Sequence, residues 1–487
     1  MNQNKKIAQL EPQNIWENFV ALNGVPRPSK KEEKVRKFML DFGKKLNLET
    51  FEDKIGNVII KKSATSGMEH KTTIALQSHL DMVPQKNNDK VHDFEKDGID
   101  MLIDGDWVTA DGTTLGADNG IGVAAIMGLL TSKDIPHPAL EALFTIDEET
   151  GMTGAQHLQE GILDATIMLN LDTEEDDEID IGCAGGIDIT ATRTYALETP
   201  QKNAIAYKIT VKGLTGGHSG MDIHLYRGNA NKILNRLLYA MLGKDLQISE
   251  IHGGGLRNAI PREAYAVIVL PIDKEAAVSC QIKKLSETIK VEQSVQDPDL
   301  DFVFEEVELP KNVMDKEAQD KLVNSVFGAH NGVFRMSADM EDLVETSNNV
   351  ASVNAADGKI QIDNLTRSSV ESTKTDLSNT LKSVYELGGF NVRMDGSYPG
   401  WKPNPKAKIL AIMADLYTKL YDEAPKVVAC HAGLECGIIK SHYPDMEMIS
   451  FGPTIQGAHS PDERVNIESV KKFWEYLKET LKNVPNK

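Results

Sequence analysis

Four stretches of this chain are apolar runs that stop on a histidine or an acid. "TIALQSHLD" ends in His79 and Asp81, "LEALFTIDEE" in Glu148 and Glu149, "TIMLNLD" in Asp172, and "MISFGPTIQGAHS" leads to His459. Helical patterns alternate with them: "GIGVAAIMGLL", "GMTGAQHLQ", "KAKILAIMADLYTKLY" and "IESVKKFWEYLKETL". The alternation predicts an α/β layer, a mixed and largely parallel sheet flanked by helices. In open sheets of this kind ligands gather at the carboxyl ends of the strands, so the polar residues that end each run are candidates for chemistry.

The rest of the chain organises around that layer. "PQNIWENFVALNGV" and "SKKEEKVRKFMLDF" predict an N-terminal helical pair, with Ser29 and Glu32 as a capping box opening the second helix. "LETFEDKIGNVIIKK" reads as two strands around residues 54–56. Beyond "DIGCAGGIDI" the texture becomes strand-rich ("NAIAYKITVKG", "AYAVIVLPI") with helices such as "GNANKILNRLLYAML", and the α/β pattern resumes near Trp401. A length of 487 residues exceeds one typical domain. The expectation is a catalytic domain in two segments, 1–186 and 399–487, interrupted by an inserted α+β lid domain at 187–398.

A formal net charge of −20 repels phosphate backbones and anionic lipids, which argues against nucleic-acid and membrane-surface partners. No apolar run approaches the ~20 residues that span a bilayer. The opening "MNQNKKIAQLEPQNIW" has no hydrophobic signal region, so a cytoplasmic protein is expected. Cys183, Cys280, Cys430 and Cys436 lack CxxC pairing and read as reduced thiols.

Two imidazoles and several carboxylates at strand ends, with no thiolate among them, suit zinc, manganese or cobalt. A further acid, Asp118 in "LGADNGIGVAAIM", precedes a glycine-rich helix start. On a strand, residues i and i+2 face the same way. Asp81 is therefore expected to accept a hydrogen bond from the His79 ring nitrogen that does not bind metal, orienting the imidazole.

"HLDMV", "GTTLGADNGIG", "TIDEETGMTGA", "LNLDTEE", "GLTGGHSG" and "GPTIQGAHSPDERV", in that order, resemble the co-catalytic zinc peptidases, most nearly their aminoacyl-histidine (Xaa-His) dipeptidase branch. The resemblance implies two Zn2+ ions, with Mn2+ or Co2+ as substitutes. His79 and Asp172 would hold one, Glu149 and His459 the other, with Asp118 bridging and the Asp118–Asn119 peptide cis. Glu148 would be the general base, and His218 in "GLTGGHSG" would meet the charge that develops on the scissile carbonyl. Asn258 in "GGLRNAIPREA" matches a substrate-facing amide, and Arg367 in "IDNLTRSSV" matches an arginine whose planar fork clamps the substrate carboxylate. Gly433 in "CHAGLECG" falls in a loop that holds a peptide terminus; His431 and Glu435 beside it receive no role. Past Asp172, the acidic run "DTEEDDEID" reads mostly as a solvated face. His92, His137, His157, His224, His252, His330 and His442 belong to no motif and are left outside the site.

The implied activity is hydrolysis of unblocked dipeptides, of the carnosine-like Xaa-His type with a broader range left open. The alternative is an aminoacylase or N-acyl amino acid deacylase on the same scaffold. A homodimer through the inserted domain is expected, and whether His218 serves its own chain or a partner stays open.

Overall fold

The computed structural model describes residues 3–487. The chain forms two compact units: residues up to Gly182 with Pro403–Ala429 and Leu434–Lys487, and Cys183–Lys402 with Cys430–Gly433.

The first unit is built on an eight-stranded sheet ordered Glu49–Glu52, Val58–Lys62, Leu140–Thr145, Ile74–His79, Ile167–Asn170, Glu447–Ser450, Glu178–Cys183, Lys426–Cys430. The middle four of these run parallel to one another, while the pairings on either side of them are antiparallel. Leu140–Thr145, Ile74–His79 and Ile167–Asn170 are buried at every position, as near-continuous apolar runs require when both faces are covered. Helix Ala117–Thr131 is buried over nearly its whole length, in keeping with its lack of a polar face. Helix Ile467–Asn483 instead presents one apolar stripe, with Val470, Phe473, Trp474, Leu477 and Leu481 buried.

A second, four-stranded sheet joins Ile455–Gln456, Arg464–Asn466, Trp107–Ala110 and Met101–Asp104. Its hairpin at 455–466 carries the His459 loop.

Two local expectations are corrected. The helix expected over "GMTGAQHLQ" is two short turns, Glu148–Gly151 and Thr153–Gln156, separated by Met152 at a left-handed φ of 50°. The Ser29–Glu32 capping box does not form. The helix begins at Glu33 with no side-chain cap; Ser29 Oγ donates to Asp81 Oδ2 at 2.8 Å, and Glu32 Oε1 accepts the backbone N–H groups of Lys30 and Asp147. Tertiary partners have taken both side chains. In the acidic run after Asp172, Asp180 is buried in strand Glu178–Cys183, where its Oδ2 accepts from Thr173 Oγ1 at 2.8 Å.

The second unit is an antiparallel sheet ordered Asp301–Val307, Ala204–Lys212, Ala264–Pro271, Gln247–Gly254, Val344–Ala356, Lys359–Ser368, Gly185–Thr194, Asn391–Tyr398, with Gly332–Met336 added beside Val344–Ala356. Its core packs sheet residues such as Ile268 and Ile362 against Leu234 and Leu237 of helix Ala230–Ala240, Val323 of helix Lys316–Gly328 and Leu381 of helix Glu371–Leu387. No helix among the described residues is long and apolar enough to cross a membrane.

Candidate active site

Because the middle four strands of the first unit are parallel, their carboxyl ends share one edge of the sheet. That edge delivers His79 from Ile74–His79, Glu148 and Glu149 just past Leu140–Thr145, and Asp172 just past Ile167–Asn170. His459 arrives from the hairpin that follows Glu447–Ser450. Asp118 comes from the start of helix Ala117–Thr131, entered through Gly116 in a left-handed conformation, and its peptide bond to Asn119 is cis.

These side chains meet. His79 Nε2 lies 3.0 Å from Asp118 Oδ1 and 3.5 Å from Asp172 Oδ1. His459 Nε2 lies 3.2 Å from Asp118 Oδ2 and 2.9 Å from Glu149 Oε2. Asp118 thus offers one oxygen to each imidazole. Asp172 Oδ1 also accepts from Asn119 Nδ2.

Asp81 organises this group from behind. His79 Nδ1 is 3.2 Å from the Asp81 carbonyl oxygen and 3.4 Å from its Oδ1. The Asp81 carboxylate also accepts the backbone N–H groups of Glu148 (3.0 Å) and Glu149 (3.3 Å), together with Ser29 Oγ. One buried acid therefore orients the imidazole and fixes the turn that presents both glutamates.

Two further buried residues, which no motif reading singled out, tie the elements together. The Glu463 carboxylate accepts the backbone N–H groups of Leu115 (2.7 Å), Gly116 (2.9 Å), Ala117 (2.7 Å) and Asp118 (3.2 Å). Leu115 and Gly116 lead into the helix and Ala117 and Asp118 open it, and a carboxylate is the group that suits such donors. Arg27 donates to the carbonyls of Leu80 (3.1 Å), Asp81 (3.0 Å) and Gly116 (2.5 Å), lashing the His79 loop to the Asp118 loop. Glu463 lay inside a quoted motif and could have been found as a cap. Arg27 carried no local signal.

Burial pushes the Glu148 carboxyl well above its ordinary range; His79 opposes this, while Asp172, Glu435 and Glu149 add to it. Glu149 and Asp172 are raised as well, chiefly by burial. The histidines move up: hydrogen bonds to Asp118 and Glu149 hold His459 near 11, and at His79 the carboxylates outweigh burial. Each Nε2 carries at most one proton yet faces two carboxylates. Acceptors outnumber donors, which is the signature of a place for cations. His79, Asp118 and Asp172 form one group whose ligand atoms lie within 4.8 Å of one another, and Asp118, Glu149 and His459 another. The nitrogen and oxygen donors, without thiolate, fit divalent zinc, manganese or cobalt.

The remaining candidates lie in the second unit. His218 Nδ1 accepts the backbone N–H groups of Gly220 (3.2 Å) and Met221 (3.0 Å). Burial and the Arg367 charge lower its basicity, so the ring is neutral with its proton on Nε2, a directed donor. Arg367 is 5% exposed; its Nη1 donates to the Tyr398 hydroxyl at 3.0 Å and its Nε is buried without a partner. Asn258 is exposed, and Asn349 Nδ2 donates to the carbonyls on either side of it, Arg257 at 3.1 Å and Ala259 at 2.8 Å. Gly433 belongs to the short Cys430–Gly433 segment of this unit. The seven histidines left outside the motifs join none of the ligand groups found among the described residues.

The sequence matches Peptidase family M20/M25/M40 over residues 75–483, and the chain belongs to that family: it is a peptidase, a hydrolase of peptide bonds. It is 42% identical over 483 residues to the cytosol non-specific dipeptidase of Escherichia coli, covering 99% of this chain and 100% of that one. The crystal structure of aminoacylhistidine dipeptidase from Vibrio alginolyticus superposes with a TM-score of 0.95 at 43% identity, covering 99% of this chain and 98% of that one. The aminopeptidase PepT of Bacillus cereus, at 17% identity and a TM-score of 0.57 over 97% of this chain and 98% of that one, shares the fold.

Proposed function

We propose that this chain is a dinuclear zinc dipeptidase that cleaves unblocked dipeptides, Xaa-His substrates among them. The observation that carries the reading is the doubled pairing of each imidazole, His79 with Asp118 and Asp172, His459 with Asp118 and Glu149. The names borne by the Escherichia coli and Vibrio relatives support the substrate class. His79 and Asp172 would hold one ion, Glu149 and His459 the other, with Asp118 shared; manganese or cobalt would substitute. Bound there, the two cations would acidify a water and polarise the scissile carbonyl.

The chain's own groups supply the rest. Glu148, next to a ligand but in neither imidazole pair, takes the proton of the attacking water and passes it to the leaving amine. His218 donates through Nε2 to the carbonyl oxygen as charge builds on it. Arg367, a buried guanidinium with an unused Nε, binds the free carboxylate of the substrate, with Asn258 and the Gly433 backbone contributing further polar contacts. We further propose a cytoplasmic location and a homodimer through the second unit.

Metal-stripped protein assayed on β-alanyl-histidine and glycyl-histidine, alongside N-acyl amino acids, before and after zinc is restored, tests the reading. Zinc-dependent release of histidine is expected. Cleavage confined to the N-acyl compounds would replace the dipeptidase with a deacylase.

A further inference from the structure

Cys430–Gly433 belong to the second unit although the chain on both sides of them belongs to the first. This four-residue strap is fastened by Ala184, whose N–H lies 3.1 Å from the Cys430 carbonyl and 2.9 Å from that of Ala432. Between those two anchors sits His431, 5% exposed, with Nε2 2.8 Å from Ser347 Oγ. Ser347 is the direct cross-strand partner of Arg367. The strap also touches the turn after His218: a Cβ placed on Gly220 would fall 2.0 Å from the His431 carbonyl oxygen and 3.1 Å from His218 Cε1, so only glycine fits. The same Gly220 donates its N–H to His218 Nδ1.

One residue thus contacts the partner of Arg367 through its ring and the His218 turn through its carbonyl. Burial, reinforced by the charge of Arg367 and the neighbouring His218 and His224, drives the His431 ring down to about 3. It is therefore a neutral spacer at working pH and adds no charge beside Arg367.

Resting on the dipeptidase reading, we infer that His431 is a positioning residue that sets the spacing between His218 and Arg367. In doing so it sets the length of substrate accepted between scissile carbonyl and terminal carboxylate. In a dipeptide those two groups are one residue apart. A donor and a guanidinium held at a fixed separation favour that length over a tripeptide, and favour a free carboxylate over an amide.

The test compares kcat/KM for a dipeptide, its C-terminal amide and a tripeptide in wild type, His431→Ala, His431→Gln and Ser347→Ala, with Arg367→Met as reference. His431→Ala is expected to lower the dipeptide-to-amide and dipeptide-to-tripeptide ratios about tenfold or more, since misplacement by about 1 Å costs up to a hundredfold. Ser347→Ala should follow in part, and His431→Gln, whose Nε2 can reach Ser347, should recover most of the loss. Equal losses on all three substrates, or no rescue by glutamine, would overturn the inference. Hydrogen exchange on the same proteins supplies a readout independent of substrate: residues 217–221 and 365–368 should both exchange faster in His431→Ala, and protection unchanged at either segment also overturns it. If zinc-restored wild type cleaved none of the three peptides, the dipeptidase reading would fall, and exchange alone would decide the role of His431.

Discussion

The candidate residues of the first unit and those of the second are built on opposite electrostatic deficits. In the first, Asp118, Glu148, Glu149 and Asp172 crowd around His79 and His459, with more acceptors than protons to share. In the second, Arg367 is buried against a neutral phenol, and the imidazoles beside it are held uncharged. The first set suits cations, and we propose that Arg367 in the second takes an anion. The contrast shows how one chain prepares for ligands of both signs. The acids are kept together by backbone N–H donors and the Arg27 clamp, whereas Arg367 has a phenol and uncharged imidazoles beside it, with the Asp188 carboxylate near enough to feel its charge.

Substitutions on the two sides should therefore fail differently. Glu148→Gln should cut kcat by about a thousandfold, within the range of lost general acid–base catalysis, while bound metal measured by elemental analysis is unchanged. Turnover within about tenfold of wild type would remove Glu148 from the proton transfer. On the other side, His218→Ala should lower kcat by about a hundredfold with KM little altered, because its donor acts on charge that exists only in the transition state. A KM effect alone would turn it into a ground-state binder. Arg367→Met should raise KM for free dipeptides by about 10- to 100-fold, the worth of a hydrogen bond to a charged group, and leave dipeptide amides nearly untouched. An equal rise for amides would erase the anion side of the contrast. Smallest of all, Ser29→Ala removes one donor from Asp81 and should cost about 1 kcal/mol of stability, with metal affinity lowered about tenfold. Calorimetry and metal titration read both, and no change in either would make Asp81 independent of Ser29.

The parallel layer and the residues at its strand ends were legible because burial on both faces leaves an unbroken apolar run, and the first polar residue after it marks the sheet edge. Asp118 was visible as an acid at a glycine-rich helix start. What stayed hidden depends on partners far along the chain. Arg27 reaches Leu80 and Gly116, and Glu463 reaches back to Leu115. The Ser29–Glu32 spacing imitates a helix cap, yet Asp81 and the backbone of Asp147 compete for those side chains and win. The run "DTEEDDEID" has the charge density of a solvated face, but Asp180 lies on a strand and Thr173 satisfies it. His431 had only a turn-like neighbourhood, because its meaning lies in Ser347 and Gly220.

The hairpin at 455–466 carries both His459 and Glu463, the acid that caps the helix bearing Asp118. Glu463 lies 345 residues beyond Asp118, so this helix start is capped from far along the chain. The backbone leading into Asp118 and the imidazole of His459 are thus held by one and the same hairpin. A change in that hairpin therefore reaches both partners of the His459–Asp118 pair at once.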